Sequence, residues 1–221
     1  MTGFRDRRHG ARELAAELAK MDLGTAPIIV GLARGGAPVA HEIATELGLP
    51  FDILVVRKLG VPFQPELAFG AIASGDFRVI NDDVLELAGV SEAMMESVVD
   101  RQQRELRRRE KLYRGGQQPP RWEGRTVVIV DDGLATGATM SVAVEAIRAQ
   151  NPEAVIAAVP LGAPRSCAKL DAKVDELVCL QSPDPFYGVG AWYDNFGETT
   201  DDEVRRLLQE RGRPSPPAQN R

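Results

Sequence analysis

Short apolar runs alternate along the chain with stretches of helical periodicity. A wholly apolar run of this length is typical of a strand that is buried on both faces of a parallel sheet. One wholly apolar run, 28–30, and four largely apolar runs, 51–56, 126–130, 154–160 and 174–180, predict five strands. The intervening sequences predict helices, among them 38–47, 138–150 and 164–170. Strands that alternate with helices predict an α/β fold with a mostly parallel five-stranded sheet flanked by helices.

Two further segments depart from this alternation. Residues 5–21 predict an amphipathic first helix, with Leu14 and Leu18 one turn apart. Residues 57–75 are rich in glycine and proline, so their first half predicts a loop, while 67–73 and 77–80 predict two paired strands. Ser91 is a good N-cap for a long helix that reaches about Tyr113.

The length of the chain, and the positions of its glycine- and proline-rich breaks, predict a single domain over residues 1–210. It carries a helical insertion at about 83–120 and ends in a polar, proline-rich tail, 211–221, which we expect to be disordered.

Composition narrows the classes of function. The net charge is −5, which argues against nucleic acid as the main partner. Only two cysteines and two histidines are present, too few for a disulfide framework or a zinc site, and a reducing cytoplasm fits this composition best. No stretch has the roughly 18 apolar residues that a membrane-spanning helix needs.

The most informative segment joins a strand to a helix through an acidic, glycine-containing loop, VVIVDDGLATGAT at residues 127–139. Asp131 and Asp132 follow the strand, at the edge where open α/β sheets bind ligands. The loop leads into a helix N-terminus, which favours an anion. The lysine of a Walker A loop is absent, so this pattern fits a sugar phosphate better than a nucleoside triphosphate.

All 13 positions of this segment resemble the motif with which type I phosphoribosyltransferases bind phosphoribosyl pyrophosphate (PRPP). The resemblance implies that fold, with two acids that hold the ribose hydroxyls and a loop at 135–139 that holds the 5′-phosphate. It implies Mg²⁺ as cofactor, carried with PRPP and held in part by the same two acids. The PRPP-binding residues would be Asp131, Asp132, Gly133, Leu134, Ala135, Thr136, Gly137, Ala138 and Thr139.

Two upstream segments extend the resemblance. A glycine-rich turn follows the first core strand, where the family has a pyrophosphate loop that can contain a non-proline cis peptide; it comprises Ala33, Arg34, Gly35 and Gly36. Arg34 would grip phosphate oxygens. Lys58 would reach the leaving pyrophosphate from a mobile loop, and Glu66 would act as an acid or base toward the nucleophile.

The acceptor side is defined less sharply. Some members of the family place an acid before the TG pair to act on 6-oxopurines, whereas this chain has Ala135, as in adenine- or orotate-type members. The aromatic segment within 181–200 corresponds to the hood, the small subdomain with which the family recognises its nucleophile. Tyr187 or Trp192 would stack on a nucleobase-like acceptor or simply pack the subdomain.

The sequence is consistent with two functions from different classes. One is an enzyme that transfers phosphoribose from PRPP to a nitrogenous base and releases pyrophosphate. The other is a PRPP-binding regulator with little or no catalysis, whose partner surface would be the arginine-rich helix at 101–114. A hydrolase with Asp131 as nucleophile fits the loop less well. The resemblance also allows a homodimer.

Overall fold

The computed structural model describes residues 3–117 and 120–210, except for the side chain of Glu66. The predicted tail, 211–221, lies outside the described residues. The helices are α1 (Arg7–Leu18), α2 (Gly36–Leu47), α3 (Asp82–Leu87), α4 (Glu92–Arg114), α5 (Ala138–Arg148), α6 (Pro164–Asp171) and α7 (Asp201–Glu210), with a short 3-10 helix at Val189–Trp192. The strands are β1 (Ile28–Leu32), β2 (Phe51–Leu54), β3 (Val56–Val61), β4 (Gln64–Ala73), β5 (Phe77–Ile80), β6 (Thr126–Val130), β7 (Ala154–Leu161) and β8 (Glu176–Gln181).

The main sheet has five strands in the order β2-β1-β6-β7-β8, all of them parallel. The prediction of a mostly parallel five-stranded α/β fold is confirmed. The strands β1 and β6 are central neighbours, with Val30 opposite Ile129. Their carboxyl ends therefore lie side by side, which places the segments that follow them at one edge of the sheet.

Both faces of the main sheet are buried, as the apolar runs predicted. On one face, Ile29 and Val128 pack with Leu14 of α1 and Ile43 of α2. On the other face, the alternate residues of the same strands pack with α5, in a cluster that includes Val30, Ile129, Met140, Val144 and Ile147. Full burial of one such side chain contributes about 2 kcal/mol, so this layered core fixes the strands that carry the candidate site.

A second, antiparallel sheet is formed by β3, β4 and β5. The predicted loop in the first half of 57–75 is wrong, because β3 and β4 form a hairpin that turns at Pro62 and Phe63. The alternation that identifies a strand is present, since Leu59 and Val61 are buried and Lys58 is exposed. Gly60 and the prolines obscured it. The pairing of 67–73 with 77–80 is confirmed.

The segment before α1 pairs with the segment after the 3-10 helix. The backbone N–H of Phe4 donates to the Trp192 carbonyl at 2.8 Å, and that of Asp194 donates to the Phe4 carbonyl at 2.9 Å. Phe4, Leu161 and Tyr193 form a small buried cluster beneath this pairing. The beginning of the chain is thus fixed to the predicted hood. Within the part of the chain described, none of the helices is both long and apolar enough to cross a membrane.

Candidate active site

A cleft of about 540 Å³ opens at the carboxyl edge of β1 and β6. The residues that line it come from four parts of the chain: the start of α1, the turn after β1, the motif after β6, and the segment between the 3-10 helix and α7. They are Arg7, Leu32, Ala33, Arg34, Gly35, Asp131, Asp132, Thr139, Phe196, Gly197, Glu198 and Thr199. The fold therefore brings the acid pair and the glycine-rich turn together, as their positions after neighbouring strands predicted.

The acid pair is crowded and only partly exposed. The Asp131 Oδ1 accepts a hydrogen bond of 2.9 Å from the backbone N–H of Asp132. Burial, and then the charge of Asp132, raise the pKa of Asp131 well above its usual value. Burial also raises the pKa of Asp132, against the opposing charge of Arg7. Two adjacent carboxylates in a restricted space are costly to ionise, which is typical of groups kept for binding or catalysis.

The loop after the acids is shaped by one glycine and by contacts to β7 and α6. Gly137 has a φ of +75°, a left-handed conformation that glycine adopts at little cost, and α5 begins at the next residue. Leu134 is buried and bridges Gly162, while the Ser166 hydroxyl donates to the Ala135 carbonyl at 2.6 Å. These contacts hold the N-terminus of α5 beside the cleft, with Thr139 in its wall.

The turn after β1 approaches the acids closely. A Cβ atom on Gly35 would lie 2.3 Å from the Asp132 Oδ2, and one on Gly36 would lie 2.4 Å from the Val130 carbonyl oxygen, so both positions require glycine. The peptide bond between Ala33 and Arg34 is cis, as the resemblance implied. The Arg34 Nη2 lies 2.6 Å from the Glu198 Oε1, which joins the turn to the hood side of the cleft.

Arg7 and Phe196, which line the cleft, belong to a stack of side chains that includes Tyr193. The Tyr193 ring stacks on Phe196 with centroids 5.1 Å apart, and the Arg7 guanidinium carbon lies 3.9 Å from the Phe196 centroid. The Tyr193 hydroxyl donates to the Asp132 carbonyl at 2.6 Å, and burial raises the pKa of this phenol. The stack therefore links the hood to the backbone of the acid pair.

Comparison with known proteins assigns the family. The family described as "Phosphoribosyl transferase domain" matches residues 7–194. This chain belongs to the phosphoribosyl transferase domain family. A Mycobacterium tuberculosis protein with the provisional name phosphoribosyl transferase is 48% identical over 205 residues, which cover 93% of this chain and 46% of that protein. The chain thus spans about half the length of the curated relatives it matches.

A solved structure is similar over almost the whole of this chain. The crystal structure of TT1426 from Thermus thermophilus is 41% identical and superposes with a TM-score of 0.83. The match covers 95% of this chain and 99% of that one. The two chains therefore share their fold over nearly their whole lengths.

Several residues predicted from the sequence lie away from the cleft of this phosphoribosyl transferase domain. Lys58 is exposed on β3 and is not among the lining residues. Tyr187 is 80% exposed, and Trp192 packs in the cluster around Phe4, so neither ring lines the cleft. The side chain of Glu66 lies outside the described part of the structure. Among the described aromatic side chains, the one in the cleft wall is Phe196.

Sequence reasoning missed six of the cleft residues: Arg7, Leu32, Phe196, Gly197, Glu198 and Thr199. Arg7 gave no local signal, because it lies among several charged residues at the beginning of an amphipathic helix. Phe196, Gly197, Glu198 and Thr199 lie within the predicted hood, 181–200, so the sequence identifies this region but not these residues. The pairing of Phe4 with Tyr193 helps to bring Arg7 to the acids, and no local pattern in the sequence marks this pairing.

Proposed function

We propose that this chain transfers the phosphoribosyl group of PRPP to a nitrogen of a nucleobase-like acceptor and releases pyrophosphate. The observation that carries the proposal is the convergence in one cleft of Arg34, the two acids and Thr139 at the N-terminal end of α5. A sugar that carries phosphates at two ends needs this combination: cationic and N–H donors for the phosphates, and carboxylate acceptors for the hydroxyls between them.

Each part of the cleft has a distinct task in this proposal. The carboxylates of Asp131 and Asp132 accept hydrogen bonds from the ribose hydroxyls. The backbone N–H groups that start α5 hold the 5′-phosphate, where the helix dipole favours an anion. Arg34 holds the pyrophosphate and stabilises the charge that develops on it as it leaves. Most of the acceleration then comes from positioning and electrostatic stabilisation, with no covalent intermediate on the protein.

The donor set suits Mg²⁺ that arrives with PRPP. Asp131 and Asp132 supply the oxygen ligands that Mg²⁺ prefers. The described residues contain no group of three or more carboxylate, histidine or cysteine side chains that would hold a metal ion alone. Oxygens of PRPP would therefore complete the site, with the two acids as its protein side. When bound, the ion neutralises the pyrophosphate and makes it a better leaving group.

The acceptor would enter between the acid pair and the hood. This side of the cleft is formed by Phe196, Gly197, Glu198 and Thr199, which combine an aromatic ring with carboxylate, hydroxyl and backbone polar groups. Such a mixture suits a planar, nitrogen-containing acceptor. The hairpin of β3 and β4 carries Lys58 and is the segment that would cover PRPP and exclude water from an oxocarbenium-like transition state.

A pyrophosphate-release screen tests the proposal. The wild-type chain is incubated with Mg·PRPP and each of a panel of free purines and pyrimidines, with an Asp131→Asn/Asp132→Asn variant as the matched control. We expect release above the acceptor-free rate with at least one base, and none from the variant. Tight binding of PRPP without release for any base would instead favour a PRPP-sensing regulator.

A further inference from the structure

We propose that Arg7 is a positioning residue for this reaction: it holds one carboxylate oxygen of Asp132 so that the other receives a ribose hydroxyl. This inference rests on the proposed function and extends it to a residue outside the PRPP motif. The Arg7 Nε lies 2.9 Å and its Nη2 2.8 Å from the Asp132 Oδ2. Both side chains are only 14% exposed, so the pair is shielded from competing water.

The local structure explains why Arg7 stands at this point. Phe4 pairs with Tyr193, and Asp6 then caps α1 by accepting a 2.8 Å hydrogen bond from the His9 backbone N–H. Arg7 is the first residue of the helix that follows. Its side chain therefore projects from a fixed helix end into the cleft, without a flexible loop between the anchor and the guanidinium.

The guanidinium is held on three sides. Its Nη1 donates to the Gly197 carbonyl at 2.6 Å, its face lies on Phe196, and two of its nitrogens contact Asp132. This uses the planar fork of arginine, which a lysine ammonium cannot reproduce. The same side chain thus fixes the acid and joins it to the hood.

These contacts leave one carboxylate oxygen of Asp132, Oδ1, available to a ligand. Both Arg7 nitrogens contact Oδ2, and Gly35 also lies against that oxygen. Among the described residues, no side chain donates a hydrogen bond to Oδ1, and Asp132 lines the cleft. Meanwhile the Tyr193 hydroxyl fixes the Asp132 carbonyl from the hood side. A carboxylate held at one oxygen and at its backbone presents the second oxygen in a defined direction.

The charges in the cleft also favour a positioning role for Arg7. Asp132 lies beside Asp131, so without a cation the two carboxylates would repel each other. Arg34, the other arginine in the cleft wall, is engaged with Glu198. Arg7 is therefore the cation that compensates the acid pair, and its displacement would let Asp132 rotate away from its neighbour.

Isothermal titration calorimetry with two ligands distinguishes a positioning role of Arg7 from a general effect of its positive charge. Mg·PRPP contains the ribose, whereas Mg·pyrophosphate does not. We expect Arg7→Lys, which keeps the charge but loses the fork, to weaken Mg·PRPP binding about tenfold. Affinity for Mg·pyrophosphate should remain within about twofold of wild type, because Arg34 and the net charge are unchanged. Arg12→Lys is the matched control, since Arg12 lies on the same helix, is 57% exposed and pairs with Glu42.

A second variant keeps the inference testable if Arg7→Lys fails to fold. Phe196→Leu removes the ring under the guanidinium, and we expect a selective loss of Mg·PRPP affinity of about threefold. Equal affinities of wild type and Arg7→Lys for Mg·PRPP would overturn the inference, as would an equal loss for both ligands. Failure of the wild type to bind Mg·PRPP would overturn the proposed function as well, so the two failures are distinguishable.

Discussion

Asp131 illustrates, at the scale of a single residue, the cost of building an anionic site. Its carboxyl group is partly buried and adjacent to a second acid, and both features raise its pKa. A carboxylate in such a place destabilises the fold when it is ionised. The residue is retained at this cost because the proposed reaction needs a hydroxyl acceptor there.

We therefore expect Asp131→Asn to be more stable than the wild type at pH 7.5, by about 1 kcal/mol. An asparagine oxygen can still accept the hydrogen bond from the Asp132 N–H, while the repulsion and the burial of charge are removed. Urea unfolding measures the change. Asp171→Asn, at the exposed end of α6, serves as control and should differ little from wild type. A less stable Asp131→Asn would show that the carboxylate supports the fold.

Single site residues could be predicted where neighbouring residues in the sequence form a recognisable motif. Asp131, Asp132 and Thr139 lie within one contiguous motif, and Arg34 lies in a short turn after a recognisable strand. The structure brings all four to the cleft. Arg7 and Glu198 act through contacts with residues far along the chain, and no local pattern marks such contacts. Tyr187 and Trp192 are predicted from residue type alone, which does not reveal where a ring points.

At the scale of elements, the long helix α4 is joined to the main sheet by a buried ion pair. The Arg114 Nη1 lies 2.6 Å from the Asp52 Oδ1, and its Nη2 donates to the Ile53 carbonyl at 2.7 Å. The side chains are 4% and 1% exposed. Because Arg114 is the last residue of α4 and Asp52 lies on β2, this pair fixes where the helix ends against the sheet.

Arg114→Met should destabilise the fold by about 3 kcal/mol, because it removes the guanidinium from a buried carboxylate while it keeps most of the side-chain volume. Chemical denaturation provides the measurement. Arg104→Met changes the same residue type on the exposed side of α4 and should cost less than about 0.5 kcal/mol. Similar stabilities for the two variants would mean that the ion pair does not fix the helix.

Elements with strong periodicity could be predicted from the sequence, whereas those defined by tertiary pairing could not. The five strands of the main sheet and the helix capped by Ser91 have clear patterns, and the structure contains them. The predicted strand 51–56 is too long, because β2 ends at Leu54 and Val56 begins β3 of the second sheet. β3 was predicted as a loop because Gly60 and Pro62 mask its alternation, and it exists through its pairing with β4. The short helix α3 lies almost wholly within the predicted helical insertion, 83–120, but was not predicted as a separate helix. The C-terminal α7 was not predicted; it buries Val204, Leu207 and Leu208 against the core.

At the scale of the whole molecule, the cleft is closed by the two ends of the described chain. The segment around Phe4 pairs with Tyr193, and the residues between this pairing and α7 supply Phe196 and Glu198. The central strands supply the acids and the glycine-rich turn. In the proposed reaction, the middle of the chain would bind the sugar phosphate and the ends would bind the acceptor. The sequence predicts the first set of residues from one contiguous motif, whereas the second set depends on how the ends of the described chain pair.

Titration of Mg·PRPP into the wild type and into Asp131→Asn/Asp132→Asn tests the central claim most directly. We predict saturable binding at one site per wild-type chain, and a loss of affinity of about a hundredfold or more in the variant, because two hydroxyl acceptors are weakened together. Circular dichroism establishes that the variant is folded. A wild type that does not bind Mg·PRPP, or a folded variant that binds it equally well, would contradict the assignment of this cleft.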